Sequence, residues 1–252
     1  MALKYNITTH LDDPNTTLLH REIILSKPFL KRIYTDWYQI FRKELTGLPE
    51  GQLLEIGSGG GFIKELISQV ITSDIMPLEC CDMTFSAESM PFQNNELSAV
   101  LMINVFHHIP KPHLFLSEAQ RTLKKGGKIC MIEPANSPLS RFIYKNYHHE
   151  PFDEKGEWEI ESSGPLSGSN QALPFIYFER DAKKFHSAFP KLRLKSIQYH
   201  TPFMYVLSGG VSRKALVPDF SYSFFKGMEY LFSPFSRQIG LFQTIVVEKT
   251  TD

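Results

Sequence analysis

The tract Leu53-Leu54-Glu55-Ile56-Gly57-Ser58-Gly59-Gly60-Gly61 constrains this chain most, because an apolar run ends in an acid and spaced glycines follow at once. Residues 52–56 are short, apolar and bounded by Gly51 and Gly57, the pattern of a buried parallel strand. Gly57, Gly59 and Gly61 remove side chains where the backbone must turn and a ligand must approach the main chain, and residues 62–69 are expected to form the next helix. An ordinary strand-to-helix turn needs one or two glycines, not a spaced set beside an acid, so the tract reads as a nucleotide-cofactor loop. Its spacing discriminates between cofactors. A dinucleotide fingerprint requires G-x-G-x-x-G, whereas here the third glycine arrives one residue early as Gly61 and Phe62 takes its place. A nucleotide-dependent oxidoreductase is thereby disfavoured.

Glu55-x-Gly57-x-Gly59-x-Gly61 resembles motif I of the class I S-adenosylmethionine-dependent methyltransferases, in their small-molecule, type 11 or quinone-methylase-like branch. The resemblance continues in order through residues 50–135. Residues 70–75, ending in Asp74-Ile75, look like the second strand with its terminal acid. Ser86-Ala87-Glu88-Ser89-Met90-Pro91-Phe92 looks like the adenine-side loop, residues 101–109 like the fourth strand and its exit, residues 115–128 like the helix and turn written F-L-x-E-x-x-R-V-L-K-P-G-G, and residues 130–134 like the fifth strand. The resemblance implies an α/β fold: a Rossmann-like seven-stranded sheet with helices on both faces, the last strand antiparallel beside the sixth, N-terminal helices and a C-terminal helical and aromatic cap. It implies S-adenosylmethionine as cofactor and S-adenosylhomocysteine as product. It also implies cofactor contacts from Glu55, Gly57, Ser58, Gly59 and Gly61, from Asp74 and Ile75, from Ser86 and Ala87, and from Asn104 and Val105 near the methionine moiety.

Two of these positions carry a reading of their own. A carboxylate at Asp74 suits a ribose, since two acceptor oxygens take two hydroxyl donors at once; the alternative is a helix N-cap. Ser86 stands where the family usually has an acid for the adenine amino group. That contact then falls to Asp82, to Glu88, or to backbone groups and apolar packing near Ala87.

Composition narrows the acceptor. With 252 residues, 42% of them hydrophobic, the chain can bury the core of one domain. A net charge of zero leaves no electrostatic footprint for DNA or RNA, so a small-molecule acceptor is expected. Three cysteines, two of them adjacent as Cys80-Cys81, offer neither a disulfide framework nor paired metal spacing, and no metal is expected. Residues 1–15 carry Asp12 and Asp13 and no apolar core, unlike a secretory signal, and no apolar run suits a membrane span; a cytoplasmic location follows.

We read residues 1–252 as a single methyltransferase domain: an N-terminal helical lid over 1–49, a cofactor-binding core over 50–135, substrate-cap insertions over 136–175 and 202–239, and remaining core over 176–201 and 240–249. Apolar residues recur at helical intervals over 18–46, with Pro28 dividing two helices. Helices are also expected over 112–125, stopped by Gly126-Gly127, and over 178–189, with strands over 192–199 and 241–248. The first insertion holds Tyr144, Tyr147, His148, His149, Glu150 and Trp158, then a Gly/Ser-rich loop over 162–170 that is either a hinge or kept ordered by Pro165 and the bulky residues around it. The second is densely aromatic: a lid over the pocket, a cap filled by its own aromatics, or an interfacial surface for a lipid-linked substrate.

Methyl transfer from a sulfonium is an in-line displacement that needs no metal, and holding the acceptor at about 3–3.5 Å in good alignment supplies much of the catalysis. His107 and His108 follow the fourth strand at the carboxyl edge of the sheet, where either can accept an acceptor proton or serve as pocket wall. Tyr144, His148 and His149 are the expected substrate contacts; the two histidines with Glu150 can instead cap a helix or be solvated. His20, Arg21 and Lys27 are within reach of the cofactor carboxylate from the leading helices, or are simply solvated. The alternative to an enzyme is a catalytically inactive S-adenosylmethionine-binding partner or regulator, which the Ser86 departure keeps open.

Overall fold

The centre of the molecule is a seven-stranded sheet ordered β3-β2-β1-β4-β5-β7-β6, whose middle strands are buried on both faces. The strands are β1 Gln52–Ile56, β2 Val70–Asp74, β3 Met83–Thr84, β4 Leu97–Ile103, β5 Leu123–Pro134, β6 Leu192–His200 and β7 Phe242–Lys249. The computed structural model describes residues 10–161 and 164–251. Strands β1 to β5 run parallel, and β7 inserts antiparallel to both β5 and β6. The resemblance predicts the seven strands and the antiparallel last strand beside the sixth.

Alternation along the strands divides the core between two faces. Leu97, Val100 and Met102 of β4, Ile129 and Met131 of β5, and Ile245 and Val247 of β7 join one layer. Covering that layer are α3 Pro112–Thr122, then, beyond α4 Pro138–Tyr147, the short α5 Leu173–Phe175, a π turn Ile176–Arg180, and α6 Ala182–Ala188. Ala99, Leu101, Cys130, Ile132 and Val246 face the opposite layer. There α1 Pro14–Ser26 and α2 Pro28–Glu44 pack, joined at Lys27, with Pro28 opening the second helix as predicted. Helix α2 buries Phe29, Leu30, Ile33, Tyr34, Trp37, Tyr38 and Phe41.

The helix expected over 62–69 does not form. Two 3-10 turns, Ser58–Gly60 and Ile63–Glu65, stand there instead. Little chain remains between the glycine loop and Val70 for a crossover helix, which ordinarily takes a dozen or more residues. Phe62, Ile63 and Ile67 therefore pack directly against α2, whose Tyr38 hydroxyl accepts from the Phe62 amide at 3.1 Å. Helix α2 fills that side of the sheet in place of the missing helix.

The Gly126-Gly127 pair does not stop α3, which ends at Thr122 as Leu123 turns extended. The register passes from Leu97 opposite Leu123 to Ala99 opposite Lys128, looping the chain out around Gly126 at φ 81° inside β5. The helix expected over 178–189 is split between the π turn and α6, while the strands expected over 192–199 and 241–248 are shifted or extended by one residue. Residues 202–239 form α7 Met204–Ser208, α8 Tyr222–Leu231 and α9 Ser236–Ile239. Their aromatics do not fill a core of their own: Phe220, Phe224, Tyr230 and Phe235 are exposed, and Tyr222 is buried against Phe29 of α2. Of the Gly/Ser-rich loop, residues 162 and 163 lie outside the described residues, as do residues 1–9 of the N-terminal segment.

Candidate active site

Strand order reverses between β1 and β4, so the turns leaving their carboxyl ends flank one crevice, where open α/β sheets bind ligands. The turn after β1 is the glycine loop. Gly57 adopts φ 70°, a left-handed conformation that favours glycine. A side chain at Gly59 would strike Thr17 of α1, Leu78 and the Asp74 carboxylate, so the backbone comes as close to its surroundings as the sequence spacing requires. Asp74 closes β2 beside it: Oδ2 accepts from the Gly59 amide at 3.2 Å and Oδ1 from Met76 at 3.0 Å. Ser58 and Ser73 both donate their hydroxyls to the Glu55 carbonyl. Glu55 itself is buried with Oε2 lacking a hydrogen-bond partner, and burial pushes its carboxyl up to about 7. Arg21 of α1 is near enough to oppose that shift.

Around this nucleus the remaining expected cofactor residues fall on one rim. Ile75 is half exposed just beyond Asp74. Ser86 turns the chain through its own hydroxyl, which accepts from the Glu88 amide, and Ala87 is buried. The two acids considered as substitutes at this position are occupied: Asp82 accepts from Thr72 and Lys64, and Glu88 from the Lys111 amide at the start of α3. Asn104 takes φ 55° at the end of β4, a conformation asparagine tolerates, and its buried Oδ1 has no partner. Lys27 is committed elsewhere, donating to the carbonyls of Gly210 and Arg213 and so tying α1 to the second insertion.

The turn after β4 holds the second half of the site. Val105 and Phe106 donate their amides to Glu133 Oε1 at 2.8 Å, and His107 Nδ1 lies 2.6 Å from Glu133 Oε2. Sequence reasoning missed Glu133 as a site residue, although an acid inside the apolar run 129–134 was its signal. One fully buried carboxylate on β5 thus shapes the whole turn. On the other side, His107 Nε2 lies 3.3 Å from Glu150 Oε2, and His108 Nε2 lies 3.7 Å from Glu150 Oε1. His148 and His149 approach the same carboxylate at 3.9 and 3.7 Å. Glu150 therefore unites two histidine pairs that the sequence reading treated as separate clusters.

Electrostatics follow from this geometry. Burial alone would depress His107, but Glu133 and Glu150 on either side outweigh it and raise it to about 9. Burial, reinforced by the neighbouring His107, lowers His108 to about 4. Burial opposes ionisation of Glu150, yet its hydrogen bond from His107 and the adjacent imidazoles hold it well below the usual carboxylate range. Gln171, which sequence gave no reason to single out, donates to Glu150 at 2.8 Å. Tyr144 is buried, stacks on Phe152 and spends its hydroxyl on the Leu241 carbonyl, so it supports the His148 ring from beneath.

A family model described as "Methyltransferase domain" matches residues 54–131, the stretch from β1 into β5. The ubiquinone/menaquinone biosynthesis C-methyltransferase of Allorhizobium ampelinum is 26% identical over 102 residues, covering 40% of this chain and 36% of that protein. The chain thus spans little more than a third of this curated relative. A geranyl diphosphate C-methyltransferase from Streptomyces coelicolor, solved with S-adenosyl-L-homocysteine, superimposes with a TM-score of 0.51 at 14% identity over 87% of this chain and 80% of that one. A chain of the Haloferax volcanii complex between the Trm112 methyltransferase activator and its methyltransferase superimposes with a TM-score of 0.54 at 11% identity over 97% and 98%. With the glycine loop, the acid-terminated second strand and the sheet order in place, residues 54–131 carry a methyltransferase domain, and the chain has the fold of the S-adenosylmethionine-dependent methyltransferases it superimposes on.

Proposed function

We propose that this chain transfers the methyl group of S-adenosylmethionine to a hydroxyl-bearing small molecule of the saccharide or quinol kind, free or lipid-linked, and releases S-adenosylhomocysteine. The observation that carries this reading is the juxtaposition, at one crevice, of the Gly57–Gly61 loop pinned to Asp74 with a buried histidine and carboxylate wall. In the donor half, Asp74 holds the ribose, Ser86 and Ala87 hold the adenine through backbone and packing, and Glu55 with Asn104 and Val105 addresses the methionine end. Arg21 lies near Glu55 and serves the donor carboxylate.

In the acceptor half, His107, His108 and Glu150 orient the acceptor hydroxyl and make its proton removable, with His148 and His149 at the outer edge. As the acceptor oxygen bonds to the methyl carbon, the carbon–sulfur bond breaks and its electron pair returns to sulfur. The hydroxyl proton passes to the outer imidazole of His148, which burial keeps neutral.

Calorimetric titration with S-adenosylmethionine and S-adenosylhomocysteine tests the donor half. Wild type is expected to bind both. Asp74→Ala is expected to weaken binding about 10–100-fold, by loss of two charge-assisted hydrogen bonds of about 1.5–3 kcal/mol each partly replaced by water. Gly59→Val is expected to bind neither, because its side chain meets Asp74, Thr17 and Leu78. A folded wild type that binds neither ligand would remove the basis of the reading.

A further inference from the structure

His107 and His108 leave the end of β4 and Glu150 follows α4, yet one ligand atom of each lies within 4.8 Å of the other two. The Nε2 to carboxylate distances are 3.3 and 3.7 Å. A metal bonded at about 2.0–2.2 Å to each of three donors places them about 3–4 Å apart, so small side-chain rotations close the set.

His108 is already set for ligation, whereas His107, held protonated between two carboxylates, must release its Nε2 proton when a metal binds. The Gly168 carbonyl, 3.0 Å from His108 Nδ1, can only accept, so Nδ1 carries the proton and the Nε2 of neutral His108 presents a lone pair. Glu133 accepts from His107 Nδ1 and directs its Nε2 towards Glu150 in the same way. A carboxylate or carbonyl behind each histidine is how proteins fix the tautomer and orientation of metal-binding imidazoles. Shielding is also in place, with the side chains of His107, His108 and Glu150 only 3%, 11% and 15% exposed.

Glu150 accepts from Gln171, and a ring nitrogen of each of four histidines lies within 3.3–3.9 Å of its carboxylate. Two buried atoms of the adjoining loop, Ser169 Oγ and Gln171 Oε1, have no hydrogen-bond partner.

We propose that His107, His108 and Glu150 form a binding site for one divalent first-row transition-metal ion, whose open positions take oxygen donors of the acceptor. Two imidazole nitrogens and one carboxylate favour zinc, cobalt, iron or manganese over magnesium or calcium, which prefer all-oxygen shells. The proposal departs from the expectation of no metal, which rested on cysteine spacing and could not register histidines and a glutamate far apart in sequence. Its role towards the acceptor rests on the methyl-transfer reading; the binding of metal does not.

The test uses the full chain, stripped with a chelator and titrated with Zn2+ and Co2+. One equivalent of Zn2+ per chain is expected, and Co2+ should develop visible ligand-field bands that Zn2+ abolishes. His108→Ala and the near-isosteric Glu150→Gln should each weaken binding at least about 100-fold, and Glu133→Gln about 10–100-fold through misdirected His107. His113→Ala, which alters a half-exposed histidine paired with Glu159 elsewhere, should bind as wild type does.

Each variant is melted and titrated with S-adenosylmethionine alongside. Wild type that takes up no stoichiometric metal overturns the site, as does affinity unchanged in both His108→Ala and Glu150→Gln. If such a sample still binds S-adenosylmethionine, the methyl-transfer reading survives. Metal uptake without S-adenosylmethionine binding has the opposite meaning: the metal site stands and the donor reading fails.

Discussion

Glu55 ends β1 inside the protein, one oxygen without a partner, and burial has moved its carboxyl from 4.5 to about 7. Because the folded value lies above the unfolded one, the ligand-free fold holds a proton that the unfolded chain releases between those values. Glu55 therefore favours the fold most below about pH 4.5, and this contribution is lost as pH rises towards about 7. A bound sulfonium and ammonium act in the opposite sense by favouring the ionised carboxylate. Affinity for S-adenosylmethionine is thus expected to rise with pH below about 7, by up to roughly tenfold per pH unit for one released proton. Titrations at about pH 5.5, 6.5 and 7.5 check this, and Glu55→Gln should flatten the profile. A profile equally steep in that variant assigns the proton to another group.

At the scale of elements, what the sequence shows depends on whether the cause is local. The strands β1, β2, β4 and β7 announce themselves as apolar runs, and Pro28 marks the break between α1 and α2. The helix expected after the glycine loop is absent because too little chain separates the loop from Val70; the sequence carries that limit but not the packing of Phe62, Ile63 and Ile67 against α2 that takes its place. Gly126 was misread for a related reason: a left-handed glycine ends many helices, but this one sits in a loop within a paired strand. In the site, the glycine loop and Asp74 are contiguous motifs and were legible. The meeting of His107 with Glu150 across the crevice was not, since nothing in the spacing of residues 107 and 150 encodes a distance.

One tertiary link between elements is open to direct measurement. Asp12, just before α1, accepts from the Leu166 and Ser167 amides and the Ser167 hydroxyl at 2.7–3.0 Å, which fastens the Gly/Ser-rich loop. Asp12→Ala should cost about 1–3 kcal/mol in denaturant unfolding by stranding these donors. It should also speed proteolysis within residues 164–170, whereas unchanged cleavage there would mean that other contacts hold the loop.

Across the whole molecule, the two apolar layers leave the carboxyl edge of the sheet to the polar chemistry, and the coverings of that edge are fastened to one another. Helix α1 lies on the glycine loop, with Ile24 3.7 Å from where a side chain on Gly60 would begin. Asp12 ties its start to the 164–170 loop, and Lys27 ties its end to residues 210 and 213. Among the described residues no helix is long and apolar enough to cross a membrane.

A helix fastened at both ends over the glycine loop has a consequence for timing. If fresh and spent donor both pass the glycine loop, as the proposed donor seat requires, α1 must lift for each exchange. The first methylation after mixing a preloaded enzyme with acceptor should then outrun every later one. Rapid-quench traces should show a burst of about one product per chain followed by a slower steady state. Asp12→Ala, by loosening one end of that helix, should raise the slow rate while leaving the burst unchanged; a linear trace from the first turnover would place the slow step in the chemistry.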